Sequence, residues 1–495
     1  MRGQRRTHPI RPILTCCAVA ANAICAGGVY SFPLIAPALV EKLKLSQPQL
    51  TTIALAGMAG QYPFAALVGK AIDRYGPWSC SLAACILNAL GFGLFAREVA
   101  HTPAEITHPS ANSFHLLVLY FGMIGLATVC SYFSLVFAAT KTFPQYIGIA
   151  SGTSMSIFGL SPFFLSLVAA TWFTPPEQTL DVPRFFAFMA VITGIVHFLS
   201  TLVFYANPIG REETSADALG EGTSSPAESS THGAVEEAEP LLADDAGPKP
   251  KDPASVHVIP VQEPQHGSTL DLFKDPYFWV LALWMLLIVG AAEMVVSNLG
   301  SIVLSLPAGA SSNTTANVSR QVRLLSFFNT ASRLLVGPLA DVLAPVASYF
   351  DGVWSFSRRR HVSRVVFVVA AALVLAATFA WLELAVRTQE AIWPLSVGTG
   401  IAYGCTFTVL PGILSSIWGL PNLGRNFGII SYTAFFGTTV FSYLYAFVAA
   451  RHVAPDETAC IGVECWRSTF WISTSTSLLA CCAALVLWRR WRHRV

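Results

Sequence analysis

The sequence predicts an all-α integral membrane protein, with twelve transmembrane helices in two homologous blocks of six joined by an acidic segment. Three observations carry this prediction. Apolar residues make up 54% of the 495, whereas Asp, Glu, Lys and Arg together make up 12%, about half of what a water-facing surface carries. Apolar runs of about 20 residues, long enough to cross a bilayer, recur along the whole chain. Acidic residues are segregated: 14 of the 28 lie between Asn207 and Asp275, opposed only by Arg211, Lys249, Lys251 and Lys274. That stretch carries −10 and the remainder +12. A soluble globule is excluded, and no basic stripe interleaved with aromatic residues points to nucleic acid.

The spans are expected near 12–37, 50–72, 77–96, 114–138, 148–173 and 185–206, then 277–306, 321–343, 365–385, 391–417, 427–450 and 468–488. With no water in the hydrocarbon, each run must satisfy its own backbone and so forms a helix. The first run follows Arg2, Arg5, Arg6 and Arg11. It is too long for a signal-peptide core and reads as an uncleaved helix. Residues 207–275, rich in Ser, Pro, Glu, Ala and Gly, read as a disordered linker. The chain thus divides into 1–206, 207–275 and 276–495. Gly27-Gly28, Pro33, Pro37, Pro63, Pro162 and Pro411 mark expected kinks or close helix packing.

Lys and Arg in the loops orient the chain. With a cytoplasmic N-terminus, 16 basic residues outside the linker face the cytoplasm and nine face the other side. Both termini and the linker are therefore expected in the cytoplasm. The two Asn-x-Ser/Thr sequons, Asn313-Thr-Thr and Asn317-Val-Ser, fall in the loop between the seventh and eighth spans, on the side where N-glycans are added. Cys460 and Cys465 lie in the eleventh-to-twelfth loop on the same oxidising side, where a disulfide is chemically permitted. The other nine cysteines lie within or beside spans, where free thiols act as small apolar residues.

An internal repeat supports the two blocks. Gly69-Lys-Ala-Ile-Asp73-Arg74-Tyr-Gly76 follows the second span, and Gly337-Pro-Leu-Ala-Asp341 ends the eighth. Phe143-Pro144 before Gly148-Ile-Ala-Ser151 is echoed by Leu420-Pro421 before Gly428-Ile-Ile-Ser431. Transporters with a site at the interface of two repeats are built in this way. Gly-x-x-x-Asp-Arg-x-Gly between the second and third of twelve spans resembles the signature of the major facilitator superfamily, although Pro77 stands where that pattern has a basic residue. Within it, Asn329-Thr-Ala-Ser-Arg333-Leu-Leu-Val-Gly337 resembles the eighth-helix motif of monocarboxylate transporters. Gly290-Ala-Ala-Glu293 and Asn298-Leu-Gly-Ser-Ile302 are similar to the fungal monocarboxylate-transporter-homologue group, related to plant nodulin-like facilitators. The resemblance implies a transporter of the vacuolar membrane with a gate at Gly69, Asp73, Arg74, Gly337 and Asp341. Physically, Gly69 would let two helices approach, Asp73 would accept backbone N–H groups at a helix end, and Arg74 would pair across the cytoplasmic face. A solvated loop pair is the simpler alternative.

Two ionisable residues stand well inside the membrane, Arg333 in the eighth span and Glu293 in the seventh. A charge there costs about 2.5–3.5 kcal/mol on the mildest scale, so neither is expected to face lipid. Arg333 offers a forked donor to a carboxylate, either a substrate's or Glu293's own. In the second case the pair only fixes packing. Asn329, one helical turn before Arg333, replaces the Asp of the monocarboxylate-transporter pattern and carries no proton. Glu293 is then the mid-membrane carboxylate left for proton coupling. His197 in the sixth span reads as a packing residue rather than a relay, Glu383 is expected at the outer interface, and Tyr30 and Tyr132, which could face the cavity, read first as packing or interfacial aromatics.

Glu237-Ala-Glu-Pro-Leu241-Leu242 in the linker resembles a dileucine signal read by sorting adaptors, which favours the vacuole over the plasma membrane. The sequence thus reads as a secondary transporter, with a small solute, possible protons and the bilayer as partners. The solute would be an organic anion such as a monocarboxylate. A non-transporting sensor on the same fold is the competing class. No enzyme chemistry, cofactor or metal-ligand cluster is expected.

Overall fold

The computed structural model describes residues 10–103, 110–143, 147–175, 179–206, 269–307, 314–344, 347–350, 353–356, 362–419, 423–454 and 459–492. Among the described residues, eleven helices are long and apolar enough to cross a membrane. The expected eighth span is also a helix of spanning length, α11 (Thr314–Leu343, 30 residues). It carries Arg320, Arg323, Arg333 and Asp341 and packs between α7 (Ile147–Trp172) and α13 (Trp393–Trp418). A helix covered by protein on two sides needs less apolar surface than one facing lipid, which is why hydropathy underrates it.

The first span is broken: α1 (Ile10–Ala26) passes through a 3-10 turn at Gly27–Ser31 into α2 (Phe32–Leu43). Pro33 opens α2, and the Gly27 N–H bonds the Ser161 hydroxyl at 3.1 Å. The second span breaks around Pro63, between α3 (Gln47–Gln61) and α4 (Ala65–Tyr75). Pro37, Pro162 and Pro411 instead lie within continuous helices. Ser46 and Gln49 form a capping box at the start of α3. Gly76, at φ +87°, joins α4 to α5 (Pro77–His101), a left-handed backbone suited to glycine. The last glycine of the repeat motif therefore has a structural cause.

The remaining long helices are α6 (Ala111–Thr142), α8 (Val182–Ala206), α10 (Pro276–Leu304), α12 (Val365–Ala385), α14 (Leu423–Arg451) and α15 (Arg467–Trp491). Their packing repeats between the two halves. In the first half α5 packs on α8, α3 on α6 and α1 on α7. In the second, α12 packs on α15, α11 on α13 and α10 on α14, the same partnerships six spans later. At the α10–α14 crossing, Gly290 and Gly437 meet main chain to main chain, so a Cβ on either would collide with backbone.

The halves meet through α2 and α10, α3 and α14, and α7 and α11. Cross-half bonds join Gln47 and Thr51 to Asn298 at 3.1 and 3.2 Å, Thr52 to Tyr443 at 3.0 Å, and Ser166 to Ser319 at 2.8 Å. All four lie toward the membrane face opposite the one where the chain enters α10. We call the entry side the linker face. At that face a six-residue helix, α9 (Thr269–Lys274), precedes Asp275, which caps α10 by accepting the Tyr277 N–H at 2.9 Å. The segment read as a linker to 275 is thus helical at its end. A two-stranded hairpin, β1 (Ala347–Phe350) and β2 (Val353–Phe356), was not expected from the sequence. Cys460 and Cys465 are disulfide-bonded, and the other nine cysteines are free.

Candidate substrate and coupling site

A cavity opens between the halves at mid-depth. The broken first span supplies Tyr30, α7 supplies Phe158 and Gly159, α11 supplies Asn329 and Arg333, and α13 supplies Tyr403. Asn329 and Arg333 share a face of α11 because they are one turn apart. The Arg333 Nε–H donates to Asn329 Oδ1 at 3.1 Å, and its guanidinium carbon lies 5.8 Å from the Phe407 ring centroid. Among the described residues no carboxylate pairs with Arg333. One of its five N–H groups is anchored, and the terminal fork is left for a ligand. Gly159 makes room for this pair, since a Cβ there would stand 3.1 Å from Thr330 Oγ1 and 3.4 Å from Asn329 Nδ2.

Glu293 does not line the cavity. It is fully buried in a cage of hydroxyl donors. Oε1 accepts from Tyr62 of the first half and from Tyr403 at 2.8 Å, and Oε2 lies 2.5 Å from Thr438 Oγ1. Thr438 also stands 2.9 Å from Ala434 O but has a single hydroxyl hydrogen. With Glu293 ionised, that hydrogen points to the carboxylate. With Glu293 protonated, the acid donates to Thr438, which turns its own hydrogen to Ala434. The cage thus accommodates both protonation states without moving a heavy atom. The structure does not bring Glu293 and Arg333 into an ion pair. Tyr403 links them instead, bonding Glu293 while lining the cavity beside Arg333.

The gate residues are placed differently from expectation. A Cβ on Gly69 would meet Phe133 at 3.4 Å and one on Gly337 would meet Thr408 at 3.5 Å, ordinary contact distances. Neither glycine marks a close helix approach, which occurs at Gly57–Gly125 and Gly290–Gly437. Arg74 is exposed beside the Tyr75 ring, and the Asp73 side chain lies outside the described residues. Asp341 pairs with Arg364, within its own half rather than across the face. Arg364 is buried at 8% side-chain exposure and also donates to Ala344 O at 2.7 Å, clamping the end of α11 to the start of α12. Arg364→Ala is expected to lower the unfolding free energy by about 1–3 kcal/mol, the scale for losing a charged hydrogen bond. Asp341→Asn should cost less, because Asp341 is exposed; thermal unfolding in detergent checks both.

His197 is fully buried, its Nδ1–H donating to Thr193 O at 2.7 Å and its Nε2 accepting from Ser131 at 2.7 Å. A carbonyl only accepts, so Nδ1 carries a proton, and in the neutral ring Nε2 is then the acceptor of the Ser131 hydroxyl, which leaves both ring nitrogens bonded within the first half. Glu383, two residues before the end of α12, is buried at 6% exposure. Tyr132 packs on Phe158 with centroids 5.2 Å apart, whereas Tyr30, read as a packing aromatic, lines the cavity. Asn317 lies in the first turns of α11, not in a loop, and donates to Gln389 Oε1 at 2.8 Å. Asn313, Glu237, Leu241 and Leu242 lie outside the described residues. Tyr62, Tyr403, Thr438, Gly159 and Arg364 were missed by sequence reasoning. Only Tyr62, beside Pro63 at the helix break, carried a local signal.

The sequence profile of the Major Facilitator Superfamily matches residues 17–353. A probable transporter MCH1 of Gibberella zeae is 31% identical over 535 aligned positions, covering 96% of this chain and 89% of its own. The probable transporter MCH1 of Saccharomyces cerevisiae is 25% identical, with coverages of 86% and 82%. Among solved structures, a D-xylose-proton symporter superposes with a TM-score of 0.63 at 13% identity, over 96% of this chain and 97% of that one. The xylose transporter XylE from E. coli, in an inward-open conformation, gives 0.59 at 12% identity, over 96% and 95%. At these identities the solved structures show the shared fold alone.

Proposed function

The chain belongs to the Major Facilitator Superfamily and is a secondary transporter related to the fungal MCH1 proteins, and on that premise we propose that it moves a small organic anion of the monocarboxylate class, coupled to a proton held at Glu293. The observation that carries this reading is the cavity-facing fork of Arg333, anchored by Asn329 and unpaired with any described carboxylate. A carboxylate docked there gains forked, charge-assisted bonds. Apolar neighbours such as Pro33, Phe158 and Leu325 suit a short hydrocarbon body. Tyr403 touches both sites, so a bound anion competes with Glu293 for its hydroxyl, which supplies a path for coupling.

In this reading the linker face is cytoplasmic, and the cross-half bonds of Asn298, Tyr443 and Ser319 close the opposite side. The membrane is the vacuolar one, with Glu237, Leu241 and Leu242 as a sorting signal bound by an adaptor. Uptake of radiolabelled monocarboxylates into proteoliposomes, with and without an imposed pH gradient, tests the transport reading. Accumulation driven by the gradient is the expected result, and uptake no greater than in empty vesicles for the whole panel would overturn it. Leu241→Ala/Leu242→Ala is expected to move part of a fluorescently tagged protein to the cell surface. Unchanged localisation would remove the dileucine reading.

A further inference from the structure

We propose that the linker-face corner of the second half, where α9, the start of α10 and the end of α15 converge, binds the phosphate headgroup of an anionic phospholipid. The corner is held by aromatic packing. The Trp418 indole donates to Asp275 Oδ2 at 3.1 Å, and its ring packs edge-on against Phe278 at 5.8 Å and Trp491 at 5.6 Å. Tyr277 lies 6.4 Å from Trp491. These contacts bring Lys274, Arg489, Arg490 and Arg492, distant in sequence, to one corner at the membrane surface.

Charge and geometry favour an anion there. Lys274 is 78% exposed on its side chain, and Arg489 and Arg490 are exposed. The guanidinium of Arg490 lies 5.4 Å over the Tyr277 ring. Stacking occupies a guanidinium's face and leaves its N–H edge for a phosphate. The nearby carboxylates do not cancel this. Asp275 holds the Tyr277 N–H and the Trp418 indole with its two oxygens, Asp271 lies 3.8 Å from Lys274, and these two carboxylates stand against four cations, which leaves the corner net positive.

Beside the charges is an apolar surface suited to the headgroup boundary. The helix α9 buries Leu272 but exposes Leu270 at 67% and Phe273 at 39%, next to Trp279 at 54%. Trp279 stacks on Phe273, and its indole N–H is satisfied by Phe273 O at 2.8 Å. Apolar side chains with satisfied polar edges, flanked by exposed cations, are the pattern of segments lying in the plane of an anionic leaflet. Bound lipid would pin the end of the acidic linker to the second half. The proposal rests on the orientation above only for which leaflet supplies the lipid.

The test uses the purified full-length chain in detergent, with binding of phosphatidylserine and phosphatidylinositol 4-phosphate compared with phosphatidylcholine by native mass spectrometry. Preference for the anionic lipids is expected. Arg489→Gln/Arg490→Gln should reduce their affinity about thirtyfold, given roughly 1 kcal/mol for each of the two basic residues. Arg184→Gln/Arg451→Gln, which removes two exposed charges from the opposite face, should leave it unchanged. Equal binding of phosphatidylcholine, equal loss in the opposite-face variant, or full competition by free glycerol phosphate would each overturn the proposal.

Discussion

Arg333→Ala is expected to abolish measurable uptake of monocarboxylates, a loss of about a hundredfold or more, while leaving the protein folded. Removing one partner of a desolvated, hydrogen-bonded charge pair costs about 2–5 kcal/mol, which sets this scale. Folding should survive because Arg333 bonds only Asn329 within its own helix and borders the cavity. Arg333→Lys keeps the charge but loses both the Nε–H donor to Asn329 and the planar fork. Uptake should fall at least tenfold, with an increase in KM as the main component. Initial rates in proteoliposomes, read beside thermal unfolding, separate the cases. Normal uptake by the Lys variant would show that no forked recognition occurs at this position.

Glu293→Gln is expected to uncouple transport from the pH gradient, with exchange of substrate across the membrane retained. The glutamine amide reproduces the protonated acid, because its carbonyl accepts from Tyr62 and Tyr403 while its N–H donates to Thr438. Concentrative uptake driven by a pH gradient should fall to the level reached without one. Glu293→Ala is a different perturbation. It takes the acceptor from the Tyr62 and Tyr403 hydroxyls, while Thr438 keeps Ala434 O, and opens a void at the crossing of α10 and α14, where each unsatisfied group costs about 1–3 kcal/mol. That variant should destabilise the chain strongly, so the Gln variant is the informative one. Gradient-driven accumulation persisting in Glu293→Gln would remove Glu293 from coupling. Tyr62→Phe supplies an independent check, since Tyr62 is the donor that reaches Glu293 from the other half. It should weaken the closure of the opposite face, read by labelling of cysteines introduced there.

The packing-pair reading of Arg333 and Glu293 illustrates how far one-dimensional reasoning reaches. Both residues were legible as turned away from lipid, because a charge in hydrocarbon is costly wherever the chain later folds. Whether they met was not legible. Depth and helix face leave the rotation of α10 against α11 undetermined, and that rotation turned Glu293 toward Tyr62, Tyr403 and Thr438 instead. Tyrosine and threonine are also common in spans, so nothing local marked these three as a cage. Arg364, which no local pattern singled out, is the buried clamp on Asp341. Gly69 and Gly337 repeat in sequence without marking close approaches. Close crossings occur instead at Gly57–Gly125 and Gly290–Gly437, and of these four glycines only Gly290 drew notice.

The sequence by itself determined the membrane class, the helical spans, the two halves and the two costly charges. Those follow from local conditions, namely hydrocarbon thickness, the need of each segment to satisfy its own backbone, and the repeat of short motifs. The tertiary structure alone decided which of the marked glycines and prolines break a span, the inward placement of the polar eighth helix and the side on which the halves touch. It also decided that Glu293 is shared between the halves through Tyr62. These features join residues up to hundreds of positions apart, and their partners are chosen by how twelve helices rotate and cross, a packing condition that no local pattern encodes.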